Sequence, residues 1–153
     1  MEILKQKIQE AVNLFKSGNL AKSEKITLKL IETNPKIPFL YNLLGLILST
    51  QNRIDEAIVT YNKGIKIDPN YAMIFNNLAL IYYNKSLKDK NYESNIKKAE
   101  ELYKKSIQLN PKIPEANTNL GNLYSAVGKN NESIKYHKLA ISADPKYFYT
   151  YLN

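Results

Sequence analysis

The side chains here whose type and spacing could do chemistry are amides. Asn77 and Asn119 each stand just before a leucine and a small residue, Leu78-Ala79 and Leu120-Gly121, and Asn153 falls at the matching place near the end. Asn42, Asn76, Thr118 and Asn122 stand beside that column, and Gln9 and Leu43 occupy it earlier in the chain. A primary amide offers both a donor and an acceptor, so it can pair with the N–H and C=O of an extended peptide without reading its side chains. A row of such amides at a fixed interval would form a ladder for a peptide backbone. Asparagine is also abundant, 19 of 153 residues, so chance alone can place several on one face.

Bond-breaking chemistry finds little support. There is no cysteine, which excludes disulfides and thiolate metal sites, and the single histidine, His137, cannot build a two-histidine site. No glycine-rich phosphate loop and no nucleophile elbow occurs. Asp55-Glu56 and Glu100-Glu101 sit in helical patterns near lysines and read as solvated faces. His137 lies eight residues before Pro145, where Tyr61 and Tyr103 lie before Pro69 and Pro111, and that is a packing position. No catalytic residue, cofactor or metal is expected, and the chain is not expected to be an enzyme.

The elements that would position the amides are paired helices. Pro35, Pro69, Pro111 and Pro145 each follow Asn or Asp at the end of an apolar-periodic run, with gaps of 34, 42 and 34 residues. The clearest stretch runs from Leu44 to Pro69 and holds Leu44-Gly45, Leu48, Ala57 and Tyr61. Gly45 and Ala57 let two helices approach closely, Tyr61 fills the volume between them, and Pro69 stops the second helix. Leu78-Ala79, Tyr82, Ala99, Tyr103 and Pro111 repeat the pattern, as do Leu120-Gly121, Tyr124, Ser133, Ala140 and Pro145. The first copy is the least regular, with Glu10-Ala11 in place of Leu-Gly and Ser23 in place of Ala. End copies of an array have one neighbour and are often atypical.

In these residues the chain resembles the tetratricopeptide repeat (TPR) family, whose period is about 34 residues. The resemblance implies an all-α, right-handed superhelical solenoid of about four helix-turn-helix repeats plus the start of a fifth. One TPR domain would cover residues 1–153, with repeats at about 4–37, 38–71, 72–113 and 114–147 and a partial fifth at 148–153. In such a superhelix the first helices line the concave face. The amide column is similar to the asparagine ladder of O-GlcNAc transferase-like proteins, and the likeness carries to Asn77, Asn119 and Asn153. The carboxylate clamp known in other members is disfavoured, because its positions read Asn42, Leu46, Asn77, Glu115 and Asn119. Phe39, Met73 and Tyr149 could add apolar contacts to a peptide or pack in the core.

The longer middle gap places an insertion of eight residues within 84–94, in the turn of the third repeat, as a lengthened hairpin, a loop or a binding element. Formal net charge is +8, carried by 21 lysines and one arginine. Nucleic-acid readers favour arginine's planar fork, so a nucleic-acid partner is disfavoured and the lysines read as solvated. No signal peptide is visible, and no apolar run approaches the roughly 20 residues of a membrane span. No membrane partner is expected, and the cytoplasm is the default location.

The sequence thus predicts a protein–protein interaction scaffold that binds an extended peptide or partner segment on its concave face. The residues in place are Asn42, Asn76, Asn77, Thr118, Asn119, Asn122 and Asn153. The alternative is the recruiting TPR region of a larger glycosyltransferase or sulfotransferase whose catalytic domain lies beyond residue 153. The aromatic run from Tyr147 to Tyr151 reads as an exposed C-terminal repeat end, which offers a route to self-association.

Overall fold

A computed structural model describes residues 2–88 and 91–145. Those residues form eight helices and no strand. They are α1 (Glu2–Lys16), α2 (Leu20–Thr33), α3 (Pro38–Thr50), α4 (Ile54–Ile67), α5 (Ala72–Ser86), α6 (Tyr92–Leu109), α7 (Pro114–Ala126) and α8 (Asn130–Ala143). They pack as antiparallel pairs, α1 with α2, α3 with α4, α5 with α6 and α7 with α8. The chain divides into two compact units at Tyr71 and Ala72, each holding two helix pairs. No helix among the described residues is long and apolar enough to cross a membrane.

Helix ends follow from local chemistry. The second helix of each pair stops at Asn34, Asp68, Asn110 or Asp144, whose backbone N–H still donates to the carbonyl four residues back. The proline that follows disfavours helical geometry at that residue and itself lacks an N–H, so the helix cannot continue. Asp68 and Asn110 then accept hydrogen bonds through their side chains from Asn70 N (2.9 Å) and Lys112 N (3.0 Å), which closes the turn. Helices α3 and α7 restart with Pro38 and Pro114 in the first turn, where a missing N–H costs nothing. Three short turns inside the pairs use left-handed backbone, at Gly18 (φ 79°), Asn52 (φ 61°) and Gly128 (φ 77°).

In the first unit, Gly45 of α3 meets the ring of Tyr61 on α4. A methyl group at position 45 would lie 2.6 Å from Tyr61 Cζ, so only glycine admits this buried ring. Burial also pushes the Tyr61 hydroxyl to a higher pKa. Ala11, Leu43 and Ile47 form a cluster with Val12, Phe15, Leu20, Ile26 and Phe39 around it. Ser23, the departure from alanine in the first pair, is fully buried and satisfied, because its hydroxyl donates to Ala11 O at 2.8 Å. The lone arginine ties the two pairs together. Arg53 Nη1 donates to Glu24 of α2 at 2.7 Å, while Nε and Nη2 grip both oxygens of Glu56 at 2.7 Å. Gln51 completes the link by donating to Glu24 Oε2 at 3.0 Å.

The second unit repeats the plan with different residues. His137 of α8 lies against Gly121 of α7, and a methyl at 121 would sit 2.8 Å from the imidazole Cε1. Ala72, Ile113 and Ala116 cluster with Met73, Ile107 and Leu109, and Ser106 donates to Ala72 O at 2.9 Å. Glu100 of α6 reaches the next pair as Glu24 does in the first unit. It accepts from Tyr124 (2.9 Å) and from Lys104 (2.6 Å). Much of the insertion is absorbed by the helices themselves: α5 has 15 residues against 13 in α3, and α6 has 18 against 14 in α4. The hairpin is lengthened, which is one of the three forms the sequence allows.

Candidate functional site

The amide positions lie on the first helix of each pair, because they flank the small residues that those helices turn toward their partners. In the second unit α5 and α7 bring three of them together. Asn119 Nδ2 on α7 donates to Asn76 Oδ1 on α5 at 3.1 Å, and Asn76 Nδ2 donates to Asn77 Oδ1 at 3.2 Å. Asn76 and Asn77 are buried, and Asn119 is half-buried. The result is a directed relay, in which Asn76 receives at its oxygen from Asn119 and spends a hydrogen on Asn77. Asn119 stands at its accessible end, and among the described residues no group donates to its carbonyl oxygen. Asn122, one turn along α7, is exposed, and Thr118 is buried beside them in sequence.

In the first unit Asn42 is buried on α3, and Leu43 belongs to the apolar cluster with Ala11 and Ile47. Gln9 is exposed on α1 and donates to Asn13 within its own helix at 2.9 Å. Phe39 and Met73 pack against the core clusters of their units. Tyr149 and Asn153 lie outside the described residues.

Sequence reading missed Asn117. It is almost fully buried, and its Nδ2 donates to Pro111 O and Ile113 O, both at 3.3 Å. Tyr41 makes the matching bond in the first unit, from its hydroxyl to Pro35 O at 3.0 Å. The signal was there: Tyr41 and Asn117 both stand six residues after a repeat-closing proline. Asn117 Oδ1 is buried with no partner among the described residues.

Electrostatics around α6 and α7 are structural. Burial alone would raise the Glu100 pKa, but the hydrogen bonds from Lys104 and Tyr124 outweigh it and hold the carboxyl below its ordinary value. Tyr124 in turn is pushed up, by burial and by the same carboxylate. Among the described residues no group of three or more His, Asp or Glu side chains could hold a metal.

Comparison with known proteins follows the helix pairs. A family model described as TPR repeat matches residues 45–86, and one described as tetratricopeptide repeat matches 102–135. No curated protein matches the sequence significantly. Among solved structures, a thermophilic TPR protein of Thermus thermophilus is similar with a TM-score of 0.83 and 15% identity, over 93% of this chain and 75% of that one. PilF of Pseudomonas aeruginosa is similar with a TM-score of 0.79 and 18% identity, over 94% and 62% of the two chains. MamA is similar with a TM-score of 0.71 and 21% identity, over 94% and 79%. At these identities the likeness speaks to the fold.

Proposed function

Because this chain belongs to the tetratricopeptide repeat family, we propose that it is a non-catalytic protein-interaction scaffold. Its first helices hold an extended peptide or partner segment through side-chain amides. The observation that carries this reading is the Asn119–Asn76–Asn77 relay between α7 and α5. Buried amides fixed by one another lose little further freedom when a ligand arrives, so the accessible amide at the end is pre-oriented. Asn119 would accept a peptide N–H through its carbonyl oxygen, and Asn122 would offer donor and acceptor one turn further on. Asn76 and Asn77 act behind it as positioning residues. In this reading affinity comes from backbone pairing and apolar contact, and specificity from the pockets that receive alternate side chains.

The test is a screen of extended peptides on an array, followed by titration calorimetry of the best binder. Loss of the Asn119 hydrogen bond to the peptide and of the orientation Asn77 gives it, at about 1 kcal/mol each, corresponds to roughly a 30-fold loss of affinity. That loss is expected for the Asn77→Ala/Asn119→Ala variant, with the helical circular dichroism signal retained. Unchanged affinity in a folded double variant would remove the amides from the site.

A further inference from the structure

Counted back from the closing prolines, the second helices can be compared position by position. Seven residues before the proline stand Leu28, Asn62, Lys104 and Lys138. Ten residues before it stand Lys25, Val59, Glu101 and Lys135. Leu28 and Val59 are therefore the aliphatic exceptions at positions that are otherwise polar or charged. Both are open to solvent, at 43% and 54% exposure.

The two exceptions meet in one place. Leu28 on α2 and Val59 on α4 wall a cleft of about 420 Å³ in the first unit, in the size range of ordinary ligand sites. The buried Leu44 and Leu48 of α3 line the same cleft. Its rim reverses the sign of the molecule. On a chain of net charge +8, Glu24, Asp55 and Glu56 border the cleft, and Arg53 alone is shared between Glu24 and Glu56. One further cation, Lys63, lines it.

We infer that this cleft is a second docking site, distinct from the amide relay, for an amphipathic segment of a partner protein that carries lysine or arginine among aliphatic side chains. Aliphatic side chains of the segment would cover Leu28, Val59 and the leucines behind them, removing exposed apolar surface from water. Its basic groups would meet three carboxylates that Arg53 and Lys63 together leave with a net charge of −1. The same carboxylates disfavour a nucleic acid or an anionic lipid surface here, since phosphates would be brought up against like charge.

Two fluorescent 14-residue helical peptides with the same leucine face test the inference, one with lysines and the other with glutamates on the polar face. Anisotropy titrations use the full chain. The leucine–lysine peptide is expected to bind at least tenfold more tightly than the leucine–glutamate peptide. Leu28→Lys/Val59→Lys places there the residues this chain itself uses in other repeats, and should lower affinity at least tenfold. Leu28→Asn/Val59→Glu keeps or adds negative charge but removes the aliphatic walls, and should also lose binding. Helical circular dichroism confirms that each variant is folded. Asn77→Ala/Asn119→Ala should leave this binding unchanged. The inference is overturned if the lysine peptide does not bind, if both peptides bind alike, or if binding survives in either folded cleft variant.

Discussion

Asn119 donates a hydrogen bond to Asn76 from 43 residues further along the chain, at 3.1 Å, and so joins α7 to α5 through their side chains. Asn76 is the middle of the relay, receiving from Asn119 and giving to Asn77. Asn76→Ala removes both bonds of the relay at once, the donor to Asn77 Oδ1 and the acceptor of Asn119. A loss of about 1–3 kcal/mol in urea unfolding is expected. Asn119→Ala removes only the bond to the buried Asn76 Oδ1, and should cost less than Asn76→Ala, about 1 kcal/mol. Equal costs at the two sites would mean that the Asn76–Asn77 bond contributes nothing to stability.

Gly45 and Tyr61 make a steric pair that admits no methyl group. Gly45→Ala should destabilise the fold by about 1–3 kcal/mol through overpacking. Tyr61→Leu relieves the clash, so it should cost less in the Gly45→Ala background than in the native chain. A denaturation double-mutant cycle measures that coupling, and additive costs would contradict the contact.

Gly128 and Gly18 have positive φ and nothing within 4 Å of where a methyl would stand. Gly128→Ala therefore tests backbone conformation without a packing change, and should cost about 1–2 kcal/mol. Asn52 occupies the same kind of turn at φ 61°. Asn52→Gly should be neutral or slightly stabilising, and Asn52→Val should cost at least as much as Gly128→Ala. Thermal melts of the three variants order them directly.

Glu100 and Glu56 are both held below the ordinary carboxylate pKa of 4.5 in the folded chain, Glu56 chiefly by its hydrogen bonds from Arg53. A depressed folded-state pKa stabilises the fold above the unfolded value, and the benefit fades as pH falls through the folded one. Melting temperature should therefore be flat near neutrality from these groups and fall below about pH 4.5. Glu100→Gln should lower stability at pH 7 and make the acid limb shallower. An acid limb identical to that of the native chain would show that Glu100 does not contribute to it.

Much of this fold was legible without coordinates, because the features that announce it act over short range. Asn or Asp before Pro35, Pro69, Pro111 and Pro145 marks helix ends by backbone sterics alone. Leu44-Gly45 with Tyr61, and Leu120-Gly121 with His137, encode a small-against-large contact between consecutive helices, and both contacts are present. Ser23 looked like a defect in the first pair because its partner, the Ala11 carbonyl, belongs to another helix.

The long-range arrangements could not be read that way. Spacing put Asn76, Asn77 and Asn119 on first helices, but only the packing of α5 against α7 decided that their amides pair with one another. Leu28 and Val59 were single aliphatics on separate helices until the first unit set them across one cleft. Periodicity records which face a residue occupies on its own helix. The distance between side chains on different helices depends on how closely those helices nest, and in this chain that depends on buried glycines, alanines, serines and rings acting together.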